Sequence, residues 1–169
     1  MSLVELIIAM LLFSVLITAG AMSFHPILRA WPSQQDRMGM GRQVQHGMEG
    51  AIRQLRPATA LQNDANGGIR LTVRENGNLN SYILYLYHPS DPWGLPFTQA
   101  DGYQLRQAGL TGGINGSFTY GEGTLLMQYL KAPPDSNLSS SGSVATLDLT
   151  LSRGDDTLRL IERVKRRNF

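Results

Sequence analysis

An apolar segment near the amino end limits the possible folds of this chain of 169 residues more than any other part of its sequence. Residues 6–24 read LIIAMLLFSVLITAGAMSF, and Glu5 is the one ionisable side chain among residues 1–24. A helix needs about 20 predominantly apolar residues to cross a hydrocarbon core of about 30 Å. The segment is therefore predicted to be a membrane-spanning helix.

Two alternatives stay open for this segment. A cleaved secretory signal peptide would end near Ala19-Gly20-Ala21, which has the small-x-small pattern of a cleavage site. No basic residue precedes the apolar run, however, and an acidic residue stands where a signal peptide carries positive charge. A buried core helix is the second alternative, but such a helix normally has a polar face and this one has almost none.

Glu5 is the unusual residue of the segment. A charged side chain at the centre of a membrane span costs at least about 2.5–3.5 kcal/mol, so it needs a partner or a function. Near a helix start an anion is mildly favoured by the helix dipole. The α-amino group of residue 1 and that of a neighbouring copy are equally available partners, and Glu5 is predicted to interact with one of them.

Residues 1–9, MSLVELIIA, resemble the mature amino terminus of type IV pilins and of type II secretion pseudopilins. In that family, position 1 is Phe or Met, position 2 is Ser or Thr, position 3 is Leu, position 4 is aliphatic and position 5 is Glu. An apolar helix follows. Five consecutive positions match this pattern. The resemblance implies a short basic leader that a prepilin peptidase removes, so that the numbering begins at the mature residue.

The resemblance also implies roles for two residues. Met1 would be the processed, N-methylated terminus, and Glu5 would pair with the Met1 amine of a neighbouring subunit during filament assembly. Many family members have Gly at position 14 and Pro at position 22, where this chain has Ser14 and Met22. Because Pro26 cannot donate a backbone hydrogen bond, the helix is expected to loosen between about residues 18 and 26 instead.

A helical pattern continues beyond the apolar segment. Met40, Val44, Met48 and Leu55, with Ala51 or Ile52 between the last two, recur at spacings of three or four residues. Pro57 ends the pattern, which predicts one long, kinked helix over about residues 2–56. Glycines at positions 39, 41, 47 and 50 weaken it by up to about 1 kcal/mol each relative to Ala. Close approach of a neighbouring backbone and local fraying are both open as their explanation.

The sequence then changes to strand periodicity. Alternation over residues 69–73, the turn Asn76-Gly77-Asn78 and residues 79–87 predict a hairpin whose second strand is covered on both faces. A loop with three prolines and Trp93 follows. Further strands are predicted at 103–106, 117–120, 124–130, 144–151 and 157–164, with a Pro/Ser/Gly linker over 132–143.

These elements predict an α+β fold, in which a long amino-terminal helix packs on a mostly antiparallel sheet, as in the lollipop of pilins. The expected parts are a membrane-spanning or filament-core helix at 1–25, an amphipathic stem helix at 26–56 and a β-rich head at 57–169. The strand order of the head resembles that of the W-type minor pilins and the J-type pseudopilins. With no cysteine, the chain lacks the disulfide loop of many major pilins.

Composition and motifs exclude several kinds of chemistry. The net charge of +2 comes from the last ten residues, since the rest of the chain sums to −1, so no broad nucleic-acid surface is expected. His25, His46 and His88 have no metal-ligand spacing, and no nucleotide-binding or hydrolase motif occurs. Neither an enzyme nor a cofactor is expected. Four aspartates could include calcium ligands, but the sequence favours turn roles for them: Asp135, Asp148, Asp155 and Asp156.

Two surface features have alternative interpretations. The Trp93 loop fits core packing better than a partner surface. The basic residues between Arg163 and Arg167 fit a solvated tail as well as a contact with anionic lipid or an acidic neighbour.

The sequence thus predicts a structural subunit, of the minor kind, of a type IV pilus (fimbrium) or of a protein-secretion pseudopilus. The resemblance implies membrane lipid, other subunits, the prepilin peptidase and the assembly platform of the inner membrane as partners. It implies a bacterial inner-membrane location before assembly and a periplasmic or extracellular filament afterwards. The alternative is a secreted or periplasmic β-rich binding module whose signal peptide is cleaved.

Overall fold

A computed structural model describes residues 3–93, 97–99, 101–154 and 156–167; the side chains of residue 23 and of residues 25–38 are outside this description. The chain divides into two compact units, Met1–Gly39 and Met40–Phe169. The first unit consists, where described, of helix. The second contains the end of that helix and all the strands.

Helix α1 extends over Leu3–Leu55. It continues through Pro26 and Pro32, so the loosened segment predicted between residues 18 and 26 does not interrupt it. The bend itself stays a prediction. Its last backbone bond joins the Arg56 N–H to the Ile52 carbonyl at 2.9 Å. Pro57 then ends the helix, as predicted, because a proline has no N–H for a further turn.

The predicted apolar stripe of the second half of α1 is confirmed. The buried members are Met40, Val44, Met48, Ala51 and Leu55, and Ile52 beside them is half-buried. They pack with inward-facing residues of the sheet in one hydrophobic core. Residues at these spacings share one face of a helix, and the core of the second unit forms against that face.

Eight strands follow the helix. They are β1 (Ala58–Asn63), β2 (Ile69–Glu75), β3 (Asn78–Tyr87), β4 (Asp101–Gly109), β5 (Thr124–Lys131), β6 (Asn137–Ser141), β7 (Val144–Arg153) and β8 (Asp156–Lys165). Neighbouring strands are antiparallel throughout, in the order β1-β2-β3-β4-β5-β7-β6, with β8 on the other edge of β7. The chain is thus an α+β protein, as predicted.

The sheet curls back towards its first strand. Strand β7 pairs with β8 along its whole length, whereas its other edge is shared between β6 and β5. The Asn63 Nδ2 group donates to the Ser140 carbonyl at 2.9 Å and so links β1 to β6. The curled sheet encloses the helical stripe on its concave face.

The β2–β3 hairpin forms where it was predicted. Asn76 and Gly77 have φ angles of 50° and 83°, the pair of positive values that a tight hairpin turn requires. Strand β3 is covered on both faces: Leu84 and Leu86 belong to the main core, and Ile83 and Tyr85 to a second cluster on the convex side.

Three sequence predictions about the strands need correction. The sequence does not predict strand β1, and strand β6 lies inside the predicted linker 132–143. Leu138 of β6 is 3% exposed and pairs with Leu147, so a single buried side chain in a polar stretch anchors this strand. The strand predicted at 117–120 is wrong, because only Ser117 forms an isolated bridge, with Thr111. Aromatic packing holds the rest of that segment.

Candidate functional site: the exposed apolar helix and the groups of the sheet

The first part of α1 is an apolar surface that no described part of the chain covers. The twenty residues Leu3–Met22 are long and apolar enough to cross a membrane, and none of them is buried. Fourteen large apolar side chains between Leu3 and Phe24 are exposed, including Leu16 at 70% and Met22 at 72%. These residues therefore do not form a core helix, which removes one of the three interpretations of the segment.

Two polar side chains of this surface, Ser14 and Thr18, form hydrogen bonds within the helix. The Ser14 hydroxyl donates to the Leu11 carbonyl, and the Thr18 hydroxyl donates to the Ser14 carbonyl, each at 2.8 Å. Hydroxyls bonded to their own helix lose little when water is removed. The segment can therefore enter a hydrocarbon environment without leaving these groups unpaired.

Glu5 lies in the first turn of α1, among exposed aliphatic side chains. Its carboxylate is thus placed where unsatisfied N–H groups of the helix start favour an anion. Met1, the predicted site of processing and methylation, lies outside the described residues. The geometry offers an acidic group at the tip of an apolar helix, within the first turn.

A buried carboxylate in the second unit was not predicted from the sequence. Asp91, in the loop after β3, is 4% exposed and accepts hydrogen bonds from the Thr98 and Tyr103 hydroxyls and from the Thr98 N–H, the last at 3.1 Å. The bonds from Thr98 and Tyr103 lower the pKa of Asp91 from 3.8 to about 2. Burial, with the Asp91 hydrogen bond, raises the pKa of Tyr103 well above its usual range. This group ties the loop to β4.

An aromatic cluster covers the convex face of β3. Trp93 packs edge-on against Tyr85, with ring centres 5.5 Å apart, and against Phe118 at 5.1 Å. Tyr120 lies 5.6 Å from Tyr85. The Tyr85 hydroxyl donates to the Glu122 carbonyl at 2.6 Å. The preferred interpretation of the Trp93 loop as core packing is confirmed for Trp93 itself, and the same cluster holds Phe118 and Tyr120 of the predicted strand 117–120.

Arg106 and Arg70 hold the loops on this face. The Arg106 guanidinium lies 4.8 Å from the centre of the Tyr87 ring and donates to the Gly121 carbonyl. Arg70 pairs with Asp64 at 2.5 Å and donates to the Gly116 carbonyl at 2.7 Å. Both arginines therefore link a strand to a neighbouring loop through side-chain hydrogen bonds.

The residues considered for metal binding do not come together. Among the described residues, no three His, Asp or Glu side chains are grouped as metal ligands. Asp148 instead forms a two-pronged pair with Arg159, at 2.9 and 2.7 Å, and this hydrogen bonding lowers its pKa. His46 is exposed on α1, whereas His88 packs against Tyr103. Asp155 and the His25 side chain lie outside the description.

A cavity at the end of α1 was not predicted either. It has a volume of about 420 Å³ and is lined by Glu49, Ile52, Arg53, Arg56, Pro57 and Arg167. The sequence contained a partial signal for it, since Arg53 lies off the apolar stripe and the carboxyl end of the chain is basic. Only the fold brings the helix end and the segment after β8 together, through the Arg167 N–H and the Arg56 carbonyl at 2.9 Å.

Comparison of the chain with protein-family models, with curated proteins and with solved structures finds no match in any of the three. The structure therefore defines only a general class of protein. It is an α+β protein with an amino-terminal helix able to span a membrane and an antiparallel sheet packed on the end of that helix.

Proposed function

We propose that this chain is a structural subunit of a helical filament, a minor type IV pilin or pseudopilin, that is held in the inner membrane before assembly. One observation carries the proposal. A twenty-residue apolar helix, exposed on all sides, has an acidic residue in its first turn. The resemblance of residues 1–9 to mature pilins indicates which kind of assembly this is, a pilus or pseudopilus filament.

The exposure of the helix supports transfer between two apolar environments. Monomeric soluble proteins rarely expose contiguous apolar patches larger than a few hundred Å², so this surface requires a covering. Lipid provides it before assembly, and the corresponding helices of neighbouring subunits provide it in the filament. In the proposed filament the helices form the core, and the antiparallel sheet units lie outside it.

Glu5 has a defined role in this proposal. Its carboxylate pairs with the Met1 amine of the neighbouring subunit, which neutralises both charges in an apolar core. Because only one axial offset brings the two groups together, the pair fixes the register between subunits, as buried polar groups do in other helical assemblies. The chain performs no catalytic step. The prepilin peptidase and the assembly platform process and move it, and an external ATPase supplies the energy.

Substitution of Glu5 tests the proposed role. In the bacterium that produces the chain, Glu5→Gln should leave its amount in the membrane unchanged but reduce its incorporation into sheared filaments about tenfold or more, since one partner of a buried pair is lost. Ser14→Ala is the matched control, because the Ser14 hydroxyl bonds only within its helix among the contacts described. Equal incorporation of native and Glu5→Gln chains would remove the role.

The alternative function is a secreted or periplasmic binding module with a cleaved signal peptide, favoured by the small residues Ala19-Gly20-Ala21. Mass spectrometry of the native protein separates the two. A chain that begins at an N-methylated Met1 supports the filament subunit. A chain that begins at Met22 supports the secreted module and rejects the filament proposal.

A further inference from the structure

Strand β8 is an edge strand with a long open side. It pairs with β7 over all ten of its residues, and among the described residues no strand pairs with its other side. Seven of the ten residues are exposed, among them Leu158 at 37% and Ile161 at 57%. An open strand edge of this length presents a row of backbone groups on which another chain can form hydrogen bonds.

The charges along this edge are mainly positive. Arg163 and Lys165 follow Ile161 by two and four positions, so all three side chains point to the convex face. Within the described structure, neither the Arg163 nor the Lys165 side chain is in an ion pair. Arg159, on the same face, is already paired with Asp148. Opposite charges on adjacent strands stabilise a pair, whereas like charges destabilise it. The convex face therefore favours acidic side chains on an added strand.

The concave side next to this edge carries arginines too, together with the exposed Glu162 of β8. Gly47 and Gly50 of α1 face Leu126 of β5, whereas the cavity residues of the helix lie on its opposite side. Because β7 lies between β5 and β8, that opposite side is the flank next to β8. There Arg53, Arg56 and Arg167 line one cavity.

The cavity has the chemistry of a carboxylate site. Three arginines are among its lining residues, and no hydrogen bond from any of their side chains is found in the described part of the chain. The one carboxylate of the lining, Glu49, accepts a hydrogen bond from Gln45 at 3.1 Å. Guanidinium groups bind carboxylates in two-pronged, charge-assisted geometry. An acidic side chain in the cavity would relieve the repulsion among the three cations.

We propose that the open edge of β8 and the cavity at its carboxyl end form one docking site for an extended acidic segment of a partner protein. The segment adds to the sheet as an antiparallel strand beside β8. Its backbone bonds to the edge, its carboxylates on the convex face meet Arg163 and Lys165, and a carboxylate on the concave face enters the arginine-lined cavity. This mode of recognition combines main-chain bonds for affinity with side-chain contacts for specificity. It concerns the second unit alone and does not depend on the filament proposal.

Amide hydrogen exchange tests the site on the full chain in detergent micelles. The probe is a synthetic peptide of ten residues, the length of β8, that begins with two consecutive glutamates and then alternates threonine and glutamate. Because successive side chains of a strand point to opposite faces, its first glutamate lies on the concave face, at the cavity end, and the others lie on the convex face. The control peptide has lysine in place of every glutamate. The glutamate peptide should slow exchange in Asp156–Lys165 by about tenfold at saturation, since its backbone protects the open edge. Added salt should weaken this binding, because the contacts are between charged groups at the surface.

Charge-reversal variants locate the contacts. Arg53→Glu with Arg56→Glu should raise the Kd of the glutamate peptide about tenfold, and Arg163→Glu with Lys165→Glu should do so independently of the helix. Arg42→Glu, an exposed position of the same helix, is the matched control and should leave the Kd unchanged. Slow exchange of β7 in each variant shows that the sheet is folded.

Three results would overturn the proposal. The first is unchanged exchange of β8 with the glutamate peptide, and the second is equal protection by the lysine peptide. The third is concentration-dependent protection of β8 without any peptide, because the occupant of the edge would then be a second copy of the chain.

Discussion

Asp91 is a buried carboxylate that is stabilised by hydrogen bonds and not by an opposite charge. The carboxylate is buried and receives hydrogen bonds from neutral donors of Thr98 and Tyr103. These bonds lower its pKa from 3.8 to about 2, so the folded chain binds fewer protons than the unfolded chain between these values. The contribution of Asp91 to stability is therefore complete above about pH 4 and is lost as the pH falls to about 2.

This linkage predicts the behaviour of Asp91→Asn. The variant should unfold at a lower temperature than the native chain at pH 6, and the difference should shrink steadily from pH 4 to pH 2. Thermal unfolding followed by circular dichroism at a series of pH values measures it. A difference in Tm that does not depend on pH would contradict the assignment.

Asp148→Asn is the control for an exposed ion pair. Its partner Arg159 is largely exposed, and the hydrogen bond from Arg159 lowers the pKa of Asp148. Salt screens exposed pairs, so added salt should reduce the effect of Asp148→Asn. The effect of Asp91→Asn should persist, because its donors are neutral.

At the scale of elements, the approach of α1 to β5 explains one of the helical glycines. A Cβ atom at Gly47 would lie 2.4 Å from the Leu126 carbonyl oxygen, whereas one at Gly41 would have no neighbour within 4 Å. Close approach of a neighbouring backbone, one of the two open explanations, therefore holds for Gly47. Nothing in the structure requires a glycine at position 41.

Alanine substitutions make this difference measurable. Gly47→Ala should lower the free energy of unfolding by about 1–3 kcal/mol, because the helix must move away from β5. Gly41→Ala should raise it by up to about 1 kcal/mol through better helix propensity. Chemical denaturation of the two variants beside the native chain checks both signs, and a loss of stability in both would mean that local packing is not the cause.

The elements also show where sequence patterns suffice. The β2–β3 hairpin was predicted because the Asn76-Gly77 turn and the alternation beside it are local signals. The error at 117–120 has a non-local cause, since Phe118 and Tyr120 pack on Tyr85 of a distant strand. Strand β6 was missed because its pairing with β7, not its composition, makes it a strand.

In the whole molecule, the buried hydrophobic side chains of the described residues all lie in the unit that begins at Met40. A chain of residues 40–169 is therefore expected to fold by itself and to unfold cooperatively in water. The full chain should instead require detergent or lipid, because its exposed apolar helix remains. Sedimentation with and without detergent, together with thermal unfolding of both chains, measures this. An unfolded 40–169 chain would show that the first unit contributes to the core.

Local patterns in the sequence specify the apolar amino-terminal helix, the position of Glu5, the amphipathic stripe of α1 and the main hairpins. These features are determined by residues close together in the chain, through their hydropathy, spacing and turn geometry. The approach of β1 to β6, the burial of Asp91 against Tyr103 and the cavity beside β8 follow only from the tertiary structure. Those features join residues that are far apart in sequence, so they depend on how the strands are ordered around the helix, which no local pattern records.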